Sequence, residues 1–155
     1  MATLYKILNP DGTPCHGGTG KWNLPHGKRP GAWMPMVKNI KLCERGYHLV
    51  EPEHLLDWSL PAIWQAEARG AHEADGQKHV YGEARLLRLV ETWNEQTARL
   101  FAADCAERVL RLVPGGDLRP AAAILAARQF VFGLIPCAKL AAARDAAEAA
   151  AEAAA

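Results

Sequence analysis

The chain has 155 residues, half of them hydrophobic, and a formal net charge of +1 at pH 7. This length supports one ordinary hydrophobic core with an appendage and is too short for two full-sized domains. No stretch approaches the roughly 18 to 20 consecutive apolar residues that a membrane span requires, and the N-terminus lacks the apolar segment of a signal peptide, so we expect a cytoplasmic protein with no membrane contact.

The charge is distributed unevenly along the chain. Residues 1–48 carry seven basic and two acidic residues, whereas the remainder carries 11 basic and 15 acidic ones, which gives +5 and −4. A basic segment attracts phosphates and nucleic acid, but a bias of this size without a basic helix or a run of arginines is better explained by a solvated loop surface.

The N-terminal segment predicts a strand, a tight turn and a long loop. Residues 3–8 have the aliphatic and aromatic content of a strand, and Asn9-Pro10-Asp11-Gly12 places a φ-restricting proline beside a glycine that accepts positive φ. Residues 12–36 hold six glycines and four prolines, which indicates a loop, fastened to the core by its two tryptophans. The binding candidates in this basic loop are Trp22, Trp33, Lys21, Lys28 and Arg29.

The middle of the chain predicts an antiparallel sheet. Residues 47–50 are expected to form a strand entered from the turn at 44–46, the alternative being a hairpin with residues 40–43. A short helix over about 52–59 follows. The alternating segment 62–69 and the strand-like segment 78–90 then predict a long hairpin, with Trp64, Ala66 and Ala68 on one face and Gln65, Glu67 and Arg69 on the other.

The last third predicts helices. Thr92 and Glu95 fit a capping box that begins a helix over about 94–112, and the helix is expected to stop at Pro114-Gly115-Gly116. Apolar residues recur on it at helical spacing, at Phe101, Cys105, Val109 and Leu112.

A second helix and an alanine-rich third helix follow. Asp117 is the expected cap of the second helix, Pro120 lies in its first turn, and Pro136 interrupts it. Alanine has the highest helix propensity, so the tail predicts a terminal helix. Cys105 and Cys137 are expected to be small core residues.

Together these elements predict an α+β fold. A small antiparallel sheet domain over residues 1–91, including the Gly/Pro-rich basic loop 12–36, precedes a helical section over residues 92–155. Alanine-faced helices associate closely, so the helical section also predicts docking on a partner or homo-oligomerisation.

Several motifs resemble an uncharacterised family of proteins from actinobacteria and their phages. The motifs are Cys15-His16-Gly17-Gly18, Cys43-x-x-Gly46-Tyr47-His48 and the run from Glu91-Thr92-Trp93-Asn94-Glu95 to Ala106. In this family a similar domain precedes long alanine-rich helical repeats, so the resemblance implies a phage or actinobacterial setting and the division above, with no catalytic residues. Gly46-Tyr47-His48 is also similar to strands in bacterial domains that have been compared with ADP-ribosyltransferases.

The two Cys/His clusters are the strongest sequence indication of a site. Cys15, His16, Cys43 and His48 are a sufficient ligand set for tetrahedral Zn²⁺, although the Cys43-x4-His48 spacing is longer than that of specific zinc motifs. The alternative interpretation is a pair of buried thiols, with histidines hydrogen-bonded to backbone.

His48 is also the candidate general base of an enzyme. Tyr47 would stack on the substrate, and Glu83 or Glu67 would be the acidic partner. A histidine on a strand more often has a structural role.

Three functions are therefore compatible with the sequence. The favoured one is a non-enzymatic interaction protein that binds a host macromolecule, most simply a host protein, without a cofactor. The second is an enzyme acting on a nucleotide or nucleic acid, such as an ADP-ribosyl-transfer-like reaction centred on His48. The third is a zinc-stabilised nucleic-acid-binding module that uses the basic loop.

Overall fold

The computed structural model describes residues 3–58, 61–113 and 116–153 and has an α+β fold. The chain forms two compact units, Met1–Trp93 and Asn94–Ala155, which we call the sheet unit and the helical unit. The predicted end of the short helix at residue 59 and the predicted stop at Pro114-Gly115 lie outside the described residues.

The sheet unit is built on four antiparallel strands. They are β1 (Leu4–Leu8), β2 (Tyr47–Leu49), β3 (Ala62–Ala74) and β4 (His79–Leu89), in the order β1-β3-β4-β2. The sheet curls until its two edges meet, because the backbones of Tyr5 and Val50 exchange two hydrogen bonds of 2.8 and 3.0 Å. The short helix before β3 is a 3₁₀ helix, Pro52–Asp57.

Alternation along β3 decides which side chains form the core. Trp64 and Ala66 are buried in the main apolar cluster, and Ala68 packs against it, as the sequence pattern predicted. On the opposite face Glu67 pairs with Arg85 of β4 at 2.7 Å. Other buried members of the cluster come from all four strands and the loop: Leu8, Trp22, Leu49, Ala62, Ala84 and Leu86.

The Gly/Pro-rich loop is fastened to β4 by its backbone. The N–H groups of Gly31, Met34 and Val37 donate to carbonyl oxygens of β4 at 2.8, 2.9 and 2.8 Å, the acceptors being Leu86, Ala84 and Gly82. Because carbonyls of alternate residues point to the same side of a strand, this segment extends along the edge of β4 that β2 begins to cover. The loop therefore acts as an irregular fifth strand.

The described residues of the helical unit form three α-helices, α1 (Glu95–Val109), α2 (Arg119–Val131) and α3 (Cys137–Ala153). A 3₁₀ turn, Leu110–Leu112, extends α1, so the predicted helix over about 94–112 is present. Helix α2 ends at Val131, before the predicted interruption at Pro136, which instead directly precedes α3.

The predicted caps need two corrections. The capping box of α1 consists of Asn94 and Thr97 and not of Thr92 and Glu95: the Asn94 side chain accepts from the N–H of Thr97, and the Thr97 hydroxyl accepts from the N–H of Asn94. Asparagine caps as well as threonine does, so the helix begins two residues later than the pattern indicated. For α2, Leu118 is the capping residue, while Asp117 accepts a hydrogen bond from the N–H of Arg119 at 2.9 Å.

Ion pairs and a cation–π contact link helices α1 and α2. Arg128 of α2 binds Asp104 and Glu107 of α1, each at 2.7 Å, and the guanidinium of Arg99 lies 5.3 Å from the ring centroid of Phe130. The buried apolar residues of the described helical unit are small except for one isoleucine: Ala103, Ile124, Ala126 and Ala150.

The apolar stripe of α1 lies on the surface. Phe101, Cys105, Val109 and Leu112, which we call the α1 stripe, are all exposed, Leu112 to 70%. Cys137 is exposed as well, so the prediction that Cys105 and Cys137 are core residues is wrong. The ion pairs that join α1 to α2 are made by Asp104 and Glu107, and the buried residue of α1 is Ala103, so the packed face of α1 is not the predicted stripe.

Candidate functional site

The structure brings the two Cys/His clusters to one cleft in the sheet unit. The cleft has a volume of about 300 Å³. His16, Gly17 and Gly18 line it from the first cluster, and Cys43, Glu44, Gly46 and His48 line it from the second. The cleft is also lined by Lys6, Lys78 and Trp58. Because two lysines line it, we call it the cationic cleft.

The imidazole of His48 is held by backbone atoms of the turn that precedes β2. Its Nε2 accepts a hydrogen bond from the N–H of Cys43 at 2.8 Å, and the ring makes a further hydrogen bond to the backbone of Gly46. Burial lowers the pKa of His48, and the nearby ammonium groups of Lys6 and Lys78 lower it further. The ring is therefore neutral at pH 7 and fixes a turn in which Cys43 has a φ of 65°.

Lys6 contributes one of the two ammonium groups that line the cleft. Its ammonium donates to the carbonyl oxygen of His48 at 3.0 Å and lies 5.5 Å from the centroid of the Trp22 ring. Burial lowers the pKa of Lys6 to about 8, and burial also raises the pKa of the nearby Cys15 thiol. Within the described residues, no carboxylate forms an ion pair with Lys6.

A second cation and an aromatic wall complete the cleft. The ammonium of Lys78 lies 5.6 Å from the centroid of the Trp58 ring and is hydrogen-bonded to the Cys43 thiol, which raises the pKa of Lys78. The ring of His16 packs edge-on against Trp58 at 5.3 Å. The carboxylate of Glu44, which also lines the cleft, is paired with Lys41.

The described residues do not form the proposed zinc site. No three or more His, Cys, Asp or Glu side chains among them are placed to hold a metal ion. The geometry around Cys43 and His48 explains this, because the thiol faces Lys78 and the Nε2 lone pair of His48 is directed at the backbone of Cys43.

The other catalytic candidates are engaged in hydrogen bonds that stabilise the fold. The Tyr47 hydroxyl donates to the carbonyl oxygen of Pro35 at 2.7 Å, and burial together with the nearby Glu83 raises the Tyr47 pKa. Both carboxylate oxygens of Glu83 accept from Arg69, at 3.0 and 3.1 Å. The structure brings Tyr47 and Glu83 near each other. The imidazole of His48 is instead hydrogen-bonded to the backbone of Cys43.

The binding candidates of the basic loop are divided between core and surface. Trp22 is only 7% exposed and packs edge-on against Tyr47, which confirms its anchoring role. Trp33 is half-buried against the guanidinium groups of Arg69 and Arg85, at 4.0 and 4.7 Å. The three cations, Lys21, Lys28 and Arg29, are exposed.

Sequence reasoning missed the two cleft lysines. For Lys6 the sequence did contain a signal. Leu4 and Leu8 face the core, and Lys6, two positions from each, lies on the same face of β1. A lysine on an otherwise apolar face is unusual and indicates a special role. Lys78 had no such signal, since it follows an ordinary Asp75-Gly76 turn.

The comparisons with known proteins gave no family. Neither protein-family models, nor curated proteins, nor solved structures match this chain. The resemblance to the actinobacterial and phage family stays a prediction. Within the described residues, no helix is long and apolar enough to cross a membrane.

Proposed function

We propose that this chain is a non-enzymatic interaction protein of an actinobacterium or its phage, which binds a host protein in the cytoplasm through the α1 stripe. The observation that carries the proposal is the exposure of that stripe. Contiguous exposed apolar surface on a small protein marks an interaction site more often than it is left to water.

The composition of the helical unit supports this proposal. Of the twelve exposed large hydrophobic residues in the described part of the chain, eight lie in this unit, and Leu118, Phe132 and Leu134 are each exposed by more than two thirds. At about 25 cal/mol per Å², the buried alanines contribute little stabilisation compared with what covering these residues would add. Binding of a partner surface that covers these residues would therefore stabilise the unit.

The sheet unit supports the non-enzymatic character of the proposal. A general base needs a free lone pair within reach of a substrate proton. The lone pair of His48 is directed at the N–H of Cys43, and the Tyr47 hydroxyl and the Glu83 carboxylate are both hydrogen-bonded within the protein.

Cys105 offers a direct test, because it lies in the centre of the stripe. A photo-crosslinking amino acid is placed at position 105 and, as a control, at position 137 on α3, which is also exposed. In an actinobacterial lysate we expect a discrete host protein to crosslink from position 105 and not from position 137. Crosslinking from both positions alike, only to another copy, or only to the chain's own residues 3–93 would contradict the proposal.

A matched pair of substitutions tests the chemistry of the contact. Leu112→Lys places a charge in the stripe, and Leu56→Lys makes the same change at a comparably exposed leucine of the sheet unit, the two side chains being 70% and 62% exposed. We expect the first substitution to reduce crosslinking from position 105 at least about tenfold and the second to leave it unchanged.

A further inference from the structure

The cationic cleft gathers the chemistry of an anion site. Lys6 and Lys78 line it from different parts of the sheet unit, and both influence the same imidazole, since each lowers the pKa of His48. Two ammonium groups that act on one neutral ring create a local positive potential, which the nearby Asp75 carboxylate partly offsets. The single carboxylate in the lining, Glu44, is already paired with Lys41 at 2.6 Å.

The glycines of the first cluster supply hydrogen-bond donors. Gly17 and Gly18 line the cleft with positive φ values of 79° and 89°, and a Cβ added at Gly17 would meet no atom of another described residue beyond its chain neighbours within 4 Å. Within the described residues, their N–H groups make no hydrogen bond to a backbone carbonyl. Adjacent backbone N–H groups in a glycine-rich turn are common ligands of phosphate oxygens.

We propose that the cationic cleft binds the phosphate group of a small phosphorylated metabolite. Lys6 and Lys78 provide the charge, the N–H groups of Gly17 and Gly18 provide hydrogen bonds, and Trp58 with His16 forms a wall for the ring or sugar that carries the phosphate. The volume of about 300 Å³ suits a ligand between a sugar phosphate and a mononucleotide. This site is separate from the α1 stripe, and either proposal can fail without the other.

The environment of the Lys6 ammonium explains why an anion is the expected ligand. The Lys6 ammonium is partly buried beside the His48 carbonyl and the Trp22 ring, and this burial lowers its pKa to about 8 because the charged form loses solvation. A bound phosphate would supply the missing counter-charge, and no carboxylate within the described residues does so.

The test is titration calorimetry of the full chain at pH 7, with NMR of backbone amides. The probes are inorganic phosphate, ribose 5-phosphate and AMP; the controls are ribose and adenosine, and NaCl at matched ionic strength. We expect ribose 5-phosphate or AMP to bind with a Kd below about 1 mM and to shift the amides of Gly17 and Gly18. Binding of inorganic phosphate with equal affinity would contradict a metabolite as the ligand, and equal shifts with NaCl would contradict a specific anion site.

Matched variants locate the site. Lys78→Gln and Lys6→Met should each weaken binding at least about tenfold, whereas Lys38→Gln, a lysine outside the cleft, should not. Lys78→Gln keeps the test valid if Lys6→Met fails to fold. An equal loss in the Lys38 variant would show that only net charge matters and would overturn the proposal, as would the absence of binding by any phosphate probe at about 10 mM, a concentration roughly tenfold above the expected limit.

Discussion

The imidazole of His48 and the backbone N–H of Cys43 are joined by a 2.8 Å hydrogen bond across five residues of sequence. The bond spans the turn that forms one wall of the cationic cleft. It gives the imidazole of the second cluster a structural role, because Cys43 adopts a positive φ and His48 holds it there.

That hydrogen bond predicts acid sensitivity. The pKa of His48 is lowered from its usual 6.5, so below pH 6.5 the unfolded chain binds a proton that the folded chain does not, and stability falls as the pH decreases through this range. Protonation also removes the acceptor that Cys43 uses. His48→Gln should lower the melting temperature at pH 7 and flatten its decrease between about pH 7 and 5.

The control for this prediction is His26→Gln, because His26 is exposed in a loop turn. That variant should keep the acid-sensitive melting curve of the parent protein. A parent-like pH profile in the His48 variant would show that other histidines are responsible.

Lys6 predicts a change of stability at alkaline pH. Its pKa falls from 10.5 to about 8 on folding, so between these values the unfolded chain binds more protons and stability rises with pH. The shift corresponds to a cost on the order of 3 kcal/mol at neutral pH. The difference in unfolding free energy between Lys6→Met and the parent should therefore shift in favour of the parent as the pH rises from about 7 to 10.

Denaturant unfolding at several pH values measures this difference. The relevant neighbours of the ammonium are the Cys15 thiol, whose pKa burial raises, the carbonyl and ring of His48, and the Trp22 ring. Lys38→Met should show no such dependence, and a constant difference for Lys6→Met would mean that its ammonium is fully solvated.

Gly31 predicts a steric limit on the loop. A Cβ at this position would overlap the carbonyl oxygen of Asn23, so Gly31→Ala must displace backbone. We expect a loss of about 3 kcal/mol or more in the free energy of unfolding, measured by denaturant titration. Gly70→Ala is the contrast: it has open space but a φ of 83°, and should lose only about 1 kcal/mol. Equal losses in the two variants would contradict a steric limit at Gly31.

The two ion pairs of Arg128 are expected to stabilise the contact between α1 and α2. Its guanidinium contacts both Asp104 and Glu107, in a unit whose buried residues are mostly alanines. Arg128→Ala should increase amide exchange in α1 and α2 about two- to fivefold at low salt, and less at about 1 M NaCl, because partly exposed ion pairs are screened. Arg144→Ala, whose contact with Asp145 is 3.8 Å long and exposed, should leave exchange unchanged.

Local patterns predicted most of the fold, because side-chain alternation and helical spacing depend on neighbouring residues alone. Alternation along β3 identified Trp64 and Ala66 as core residues, and helical spacing identified α1. The same spacing gave the wrong burial for Cys105, since a pattern shows which residues share a face but not whether another element covers it. For the cleft, the sequence predicted the two Cys/His clusters, and residues of both do line it. It did not predict that Lys6 and Lys78 would line the same cleft. Their positions there depend on the pairing of strands that are distant in sequence, which no local pattern encodes.

The hydrogen bonds from Gly31, Met34 and Val37 to β4 also constrain how this protein can evolve. Connecting loops usually vary in length among relatives, because a longer loop costs little entropy and disturbs no ladder. In this segment one inserted or deleted residue would change the spacing between these three donors, so that at least one of them would lose its acceptor on β4. Relatives should therefore keep the number of residues between positions 31 and 37 fixed even where the residues change, and should accommodate gains and losses of chain before position 31.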